Sequence, residues 1–370
     1  MKLITEVRCS GLSRLMTCPG SLFFENLPPE EDSAPAKEGT AAGRYLQHLL
    51  EGTEPGTHCE NGVMFDEDMK FYVTPIAEDI MAEQYHQPDP TVLCEQRIDW
   101  PSRSGIMIRG QYDISFVRNG KLHIEDLKYG WGIVDVKENW QLLGYAIGEV
   151  IRRQQVFSSI VFKIHQPRPH HEDGPTRTWE ISYDELLQYK EKIEDRMLDI
   201  SHGYRQLVTS AKCLYCPAVN FCPAFNRAFY NTVDYSMSHF QQDDIKDEVV
   251  ANQLQLIERM EEIVKIKKRS LEQLAVYRIN QGGIIPGYIL DKSFGDRKWK
   301  PGISPKAIET LTGKKIVKEE MMSPAQAEKL GVPKELVATL VDRHFVGMKV
   351  KKGDAGKMAD KIFNNQKGVG

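Results

Sequence analysis

Residues 110–130 read GQYDISFVRNGKLHIEDLKYG. Two strand-like runs flank Asn119-Gly120, a dipeptide suited to a two-residue type I′ turn because both positions need positive φ. In such a hairpin Arg118 pairs with Lys121, which sets Asp113 opposite Asp126 and Gln111 opposite Lys128. Alternation along a strand then places all four side chains on one face, with opposed Cβ atoms roughly 4.5–5.5 Å apart. Opposed carboxylates repel, and a sheet gains nothing by pairing them. A divalent cation removes the repulsion. Magnesium takes oxygen ligands and usually keeps several waters and a substrate phosphate. A lysine beside that ion can orient an attacking water and stabilise charge on the phosphate in the transition state. Taken alone, the spacing equally fits an exposed hairpin with scattered charges.

A second group is Cys213-x2-Cys216-x5-Cys222 in AKCLYCPAVNFCPAF. Three thiolates at this spacing can bind one metal centre but need a fourth ligand. Cys18, in LMTCPGS, is the natural candidate, and Cys9 is an alternative. Zinc held by four cysteines, or by three together with His202, uses the same residue types. Cys59 and Cys94 have no partners in sequence and read as core or loop residues.

The elements that must position these residues follow from pattern. Residues 28–38 read as a loop, and 39–51 and about 67–84 as helices. Residues 91–100, 106–117 and 121–129 form strand-like runs, and 137–153 are helical. VFSSIVFKIHQ (156–166) alternates and is rich in β-branched residues, so it reads as a strand. Gln166-Pro167-Arg168-Pro169 cannot continue a central strand. Ser182 with Glu185 forms a capping box that opens a helix reaching about Val208. Residues 242–280 form a long charged helix, followed by a small C-terminal α+β unit. Three regions result: 1–235 with both motifs, a helix over 236–283, and a basic unit over 284–370.

The chain has 370 residues with 41% hydrophobic and 27% charged, values that exclude collagen-like, low-complexity and wholly disordered classes. Its net charge of −4 does not advertise a nucleic-acid binder. Charge is uneven, however. Residues 281–370 carry 17 Lys+Arg against 10 Asp+Glu, and the preceding residues 31 against 42. Such a tail suits a phosphate-facing surface or a solvated face. No window approaches the roughly 20 apolar residues of a membrane span, and the N-terminus lacks the apolar core of a signal peptide. A cytosolic location and no membrane partner are expected, and closely spaced cysteines there suggest a metal or cluster over disulfides.

Gly110-x-x-Asp113, Asp126-x-Lys128 and Gln141-x-x-x-Tyr145 together resemble the PD-(D/E)XK nuclease core, specifically its RecB/AddB-type branch. The resemblance implies an α/β (α+β) restriction-endonuclease-like fold, a mixed central sheet flanked by helices. It implies that Asp113 and Asp126 hold Mg²⁺ or Mn²⁺ and that Lys128 is catalytic. It also implies that Gln141 and Tyr145, on one helix face, position the DNA strand and the site. Tyr112 stands where the family name has proline. Glu95 matches an acidic residue often near the metal in related nucleases. EGTAAGRYLQHLLE (38–51) resembles the helix that opens this core, where relatives place a site-facing histidine four residues after the glycine. That position is Gly43 here, which leaves His48, with Glu51, as the alternative ligand.

The cysteine layout resembles the staple of AddB-type nucleases, which implies a [4Fe–4S] cluster on Cys18, Cys213, Cys216 and Cys222. The segments 10–21, 38–43, 165–169 and 285–299 also look like an uncharacterised phage and prophage family. The combined expectation is a Mg²⁺-dependent DNA exonuclease acting on duplex ends in phage recombination, replication or host DNA degradation. A phage single-strand annealing or binding protein is its expected partner, and an oligomer is compatible with relatives. Arg297, Lys298 and Trp299 could contact DNA by charge and stacking. The alternatives are a DNA-binding or assembly protein on a degenerate nuclease fold and a zinc-stapled structural protein.

Overall fold

The computed structural model describes residues 3–25, 27, 33–85, 91–236, 247–294, 298–299, 303–315, 324–329, 331–342 and 345–352. A mixed sheet holds β1 (Glu6–Arg8), β2 (Leu93–Pro101), β3 (Met107–Arg118), β4 (Lys121–Leu127), β5 (Ser159–His165) and β6 (Thr176–Ser182). The strand order is β1-β3-β4-β5-β6, with β2 also paired to β3. The β1–β3 and β4–β5 pairs are parallel and the others antiparallel. The Asn119-Gly120 turn sets the expected register, from Arg118↔Lys121 to Ile114↔Glu125. Asn119 and Gly120 both have positive φ, 51° and 74°, as a type I′ turn needs.

Helices cover both faces. On one, α1 (Cys9–Thr17), α4 (Trp140–Arg153) and α5 (Tyr183–Ser201) bury Leu12, Leu15, Leu143, Ile147 and Ile193 against Ile108, Leu122, Ile124 and Phe162. On the other, α2 (Ala34–Glu51) and α3 (Glu67–Gln84) bury Ala41, Tyr45, Met69 and Val73 against Ile114 and Phe116. Ile108 and Ile114 are both even-numbered, yet they pack on opposite faces. The alternation slips between Tyr112 and Ile114, beside Glu95, whose φ is 52°. Glu95 lies on the paired strand β2, and the β2–β3 pairing keeps one register on both sides of it. The expectation of strict alternation through Asp113 therefore fails at the residue of most chemical interest.

Other boundaries also differ from the expectation. The helix expected from 39 starts at Ala34, because the Ser33 hydroxyl caps it through the Ala36 N–H and Pro35 fits its first turn. The helix from the Ser182 capping box ends at Ser201, not near Val208, and Gly203 follows with φ 84°. Additions to the expected elements include β1, α1, β6 and α6 (Pro223–Ser236). Residues 9–17 include Gly and two Ser and make a poor isolated helix. Packing of Cys9, Leu12 and Leu15 stabilises them instead.

The chain divides into two units, Met1–Leu271 and Glu272–Gly370. The division falls within α7 (Asp247–Asn280), not after Gly283 as the composition suggested. The second unit contains β7 (Tyr288–Phe294), β8 (Lys298–Trp299), α8 (Pro305–Thr312), α9 (Pro324–Lys329), α10 (Lys334–Leu340), β9 (Val341–Asp342) and β10 (Phe345–Lys352). There β7 pairs with β10 and β8 with β9, both antiparallel. No helix among the described residues is long and apolar enough to cross a membrane.

One buried charge tests the packing of α4 on the sheet. Glu149 is fully buried and accepts from the Tyr112 hydroxyl at 3.2 Å, Arg152 at 2.6 and 2.8 Å, and Arg153 at 2.5 Å. Burial works to raise its pKa, but the two guanidinium groups outweigh it and hold the carboxyl below its ordinary value. Its contribution to stability is therefore complete above about pH 4.3, the unfolded value. It fades as pH falls through the lower folded value. Glu149→Ala leaves the buried Tyr112 hydroxyl unpaired and should cost about 1–3 kcal/mol in urea unfolding at neutral pH. The wild type's extra loss of stability in acid should be smaller in the variant.

Candidate active site

The β3–β4 ladder stops one pair short of Asp113 and Asp126. There the Asp113 Oδ2 accepts the Leu127 N–H at 2.8 Å, a side-chain bond in place of a ladder bond. Beyond it β4 stays pinned to β5, and the Lys128 N–H donates to the His165 carbonyl at 2.8 Å. Lys128 Nζ stands 2.8 Å from Asp126 Oδ2. Among the described residues, the Lys128 ammonium is thus the one polar partner of this buried oxygen. Gln141 Nε2, from α4, lies 3.5 Å from Asp126 Oδ1 and 2.8 Å from the Tyr145 hydroxyl. The Tyr145 ring in turn leans over Gly110, where an added Cβ would stand 2.5 Å from Cε1. The glycine of the Gly-x-x-Asp motif thus makes room for the tyrosine of the Gln-x-x-x-Tyr motif.

Glu95 completes the group. Its left-handed backbone costs about 1–3 kcal/mol for a residue with a Cβ, and the kink sits beside Asp113. The Glu95 carboxylate accepts from Gln111 Nε2. On its other side is α2, where a Cβ on Gly43 would stand 3.6 Å from Glu95 Oε1. A chain of hydrogen bonds along α2 joins Arg44 Nη1 to Gln47 at 2.6 Å and Gln47 Nε2 to Glu51 at 2.8 Å. Arg44 and Glu51 both act on the Glu95 charge. His48 turns elsewhere: its Nδ1 is 2.7 Å from the Thr53 hydroxyl and its ring lies edge-on to Phe65. On the same helix it is Glu51 whose charge acts on Glu95.

The electrostatics are those of crowded negative charge. Burial pushes the Asp113 carboxyl well up, and the Asp126 charge adds to it against Lys128 and the Leu127 N–H. Burial also raises Glu95, with the charges of Asp126 and Glu51 contributing. Burial alone would lower Lys128, but Asp126 and Asp113 outweigh it and keep the ammonium charged. Two raised carboxyls beside Asp126 are what a divalent cation would neutralise, although the oxygens of Glu95, Asp113 and Asp126 do not all lie within 4.8 Å of one another. The donors are all hard oxygens, which suits Mg²⁺ or Mn²⁺.

The neighbouring Glu125 shows the contrasting case. It is fully buried on the opposite face of β4, with His165 Nε2 at 2.8 Å, Lys163 Nζ at 3.1 Å and His123 Nδ1 at 3.4 Å. Burial opposes its charge, yet these partners hold its carboxyl below the ordinary range. Glu83, His123 and Glu125 are the one group among the described residues spaced for a single ion. Lys163 Nζ already sits 3.0 Å from Glu83 and 3.1 Å from Glu125, so a cation is built in.

The four cysteines belong to a junction between the N-terminal segment and residues 206–225. The Val208 N–H points to Cys18 Sγ at 3.4 Å, the Ser210 N–H to Cys213 Sγ at 3.5 Å, and the Phe225 N–H to Cys222 Sγ at 3.5 Å. Burial raises the Cys213 and Cys216 thiols, and the neighbouring cysteine charges add to it. Arg14 opposes this at Cys216. Amides aimed at sulfur are what a thiolate-held centre uses. No three of these sulfurs lie within 4.8 Å of one another. One tetrahedral zinc with Zn–S near 2.3 Å would draw them to about 3.8 Å. Cys9, the alternative fourth ligand, is buried under α4, where added Cβ atoms on Gly110 and Gly144 would each meet its Sγ at 2.9 Å. Its thiol is pushed up to about 12 by burial. Gly20 cements the same junction as Cys18: its N–H donates to the Gln206 carbonyl at 2.9 Å, and a Cβ there would strike the Arg205 carbonyl at 2.5 Å.

Of the expected DNA contacts in the tail, Arg297 lies outside the described residues. Lys298 and Trp299 form β8, paired with Asp342 and Val341, and their side chains are also outside the description. Arg44 and Gln47 escaped the sequence reading. Only their helical spacing relative to Glu51 could have indicated them. Glu95→Gly should relieve the strained φ and reduce the crowding of carboxylates. In metal-free buffer it should raise stability by about 1 kcal/mol, measured by urea unfolding, where most strand substitutions to glycine lower it.

Comparison with solved proteins gives a weak likeness. A structure titled "Crystal structure of SSO0001" is 14% identical, and the match covers 60% of this chain and 88% of that one. Its TM-score of 0.29 is too low to carry an argument. The family match is extensive, running over residues 6–352 and so through the hairpin, the cysteine segment and most of the second unit. The chain belongs to the family described as "Protein of unknown function (DUF2800)".

Proposed function

We propose that the protein is a metal-dependent deoxyribonuclease of the RecB/AddB type that degrades DNA from its ends. The observation that carries this reading is the group Glu95, Asp113, Asp126 and Lys128, in which the buried Asp126 carboxylate is met by the Lys128 ammonium at 2.8 Å and burial raises Asp113 and Glu95. Mg²⁺ or Mn²⁺ would be held by Asp113, Asp126 and Glu95, where it would neutralise phosphate charge and make a bound water acidic. Lys128 keeps its proton despite burial and so presents a fixed positive charge to the phosphate and to the attacking water. The Leu127 N–H fixes Asp113, and Gln141, braced by Tyr145, fixes Asp126. Pre-set donors and acceptors of this kind need no reorganisation during the reaction.

A [4Fe–4S] cluster on Cys18, Cys213, Cys216 and Cys222 is the second part of the reading. It is supported by the amides aimed at three of the sulfurs. Its role would be structural. A phage setting and a single-strand annealing or binding protein as partner follow from the resemblance of the motifs alone.

Linear and circular duplex DNA, incubated with Mg²⁺ or Mn²⁺ and anaerobically purified protein, test the enzyme. Loss of linear DNA only, reduced at least about 10²-fold by Lys128→Ala, is the expected result. Cutting of circles would make it an endonuclease on the same site. No cleavage by cluster-replete protein that still binds DNA would sink the enzyme and leave a binding protein. A separate readout avoids turnover: Mn²⁺ at about 100 times its Kd should stabilise the wild type by about 2.7 kcal/mol, and Asp126→Asn by much less. Broad visible absorbance with iron and sulfide in equal amounts is expected for the cysteine site, and a colourless zinc protein would refute the cluster.

A further inference from the structure

Three residues beyond Lys128, the chain presents a large aromatic ring to solvent. Trp131 is 65% exposed, although indole rings normally bury most of their surface. The segment that carries it is nevertheless firmly held. Gln166, itself fully buried, donates from Nε2 to the carbonyls on both sides of Trp131, Gly130 at 3.1 Å and Gly132 at 2.7 Å. Its Oε1 accepts from the Val134 N–H at 3.1 Å and Arg177 at 2.7 Å. The Arg168 guanidinium lies 4.8 Å from the Trp131 ring centroid and 4.5 Å from that of Tyr129. Arg168 is fixed in turn by Glu38 at 2.9 Å and the Tyr129 carbonyl at 3.2 Å. A buried amide and a guanidinium against two rings therefore order an indole that contributes little to the core.

The cysteine segment brings a second such ring alongside. Tyr215 is 67% exposed, and its hydroxyl would lie 3.9 Å from a Cβ on Gly132. The Arg269 guanidinium stands 5.2 Å from its ring centroid, and Arg14 Nη1 donates to its carbonyl at 3.2 Å. Two adjacent exposed rings each have a guanidinium against them. Trp131 is also within about 11 Å of Lys128 along the chain. Single exposed aromatics need no explanation, but two neighbouring rings held by arginines match the composition of single-strand binding sites. In those, bases stack on aromatic rings and phosphates are drawn to the cations.

We propose that Trp131 and Tyr215 form a base-stacking platform for single-stranded DNA beside the carboxylate centre. The identity of the ligand rests on the nuclease reading, while the platform's test involves no cleavage. The test is fluorescence anisotropy of a labelled oligothymidylate, and of an abasic oligomer of the same length, with the full-length cluster-containing protein in EDTA at constant salt. The expected result is that Trp131→Ala weakens oligothymidylate binding roughly ten-fold, that Trp131→Phe restores most of it, and that Tyr215→Ala adds to the loss. Abasic DNA should bind more weakly to the wild type and be indifferent to these changes. Absence of oligothymidylate binding by the wild type overturns the platform. So does an unchanged Kd in Trp131→Ala, or an equal loss on the abasic oligomer. If the platform fails while Lys128-dependent degradation persists, the nuclease stands without it. A platform in a protein that cuts nothing supports DNA binding without turnover.

Discussion

Negative charge that the chain does not itself neutralise governs this structure. Asp113, Asp126 and Glu95 share one end of the sheet with a single ammonium, Lys128, and burial pushes Asp113 and Glu95 up. An arrangement of this kind lowers stability in the absence of a cation. It persists because the Leu127 N–H, the braced Gln141 and the backbone kink at Glu95 are each secured by packing on both faces. Adjacent residues of β4 make the point directly. Glu125 meets two histidines and a lysine, and its carboxyl is held down. On the next residue, the Asp126 carboxylate meets one ammonium, Lys128 at 2.8 Å, and the Gln141 amide at 3.5 Å. The first is how a fold accommodates a buried acid; the second is how a site keeps one available.

The slip in β3 between Tyr112 and Ile114 brings helices from opposite faces to one centre. Before it, even-numbered residues of β3 pack under α4, and after it they pack under α2 and α3. The carboxylates lie where the faces exchange, so α4 supplies Gln141 and Tyr145 while α2 supplies Arg44 and Glu51. The gain is a set of side chains that no single sheet face could assemble.

Much of this was legible in the sequence because it is local. The Asn119-Gly120 turn determined the hairpin register, and the spacing of Gln141 and Tyr145 on one helix placed both near Asp126. The Ser182 capping box marked the start of α5. What escaped depends on distant partners. The slip in β3 and the positive φ of Glu95 opposite it fall on residue types that give no such signal. The orientation of α2, which separates Glu51 from His48, is decided by Phe65 and Glu95. The edge strand β6 exists because β5 pairs with it, and α1 because α4 covers it. Tertiary context overrides intrinsic preference in each case.

The junction of Cys18 and Gly20 with residues 205–208 has a further consequence, for the order of events during synthesis. The N-terminal segment contributes β1, α1 and one cysteine, yet the partners of that cysteine emerge almost two hundred residues later. At roughly 5–20 residues per second, translation leaves that segment waiting about 10–40 s. Until α4 emerges, Leu12 and Leu15 lack the helix that covers them, and until β3 emerges β1 has no strand to pair with. The unit thus closes at its own beginning only once residues 205–208 have emerged. Its N-terminal residues are the part of the nascent chain most in need of shelter, whether by chaperones or by rapid docking of α4.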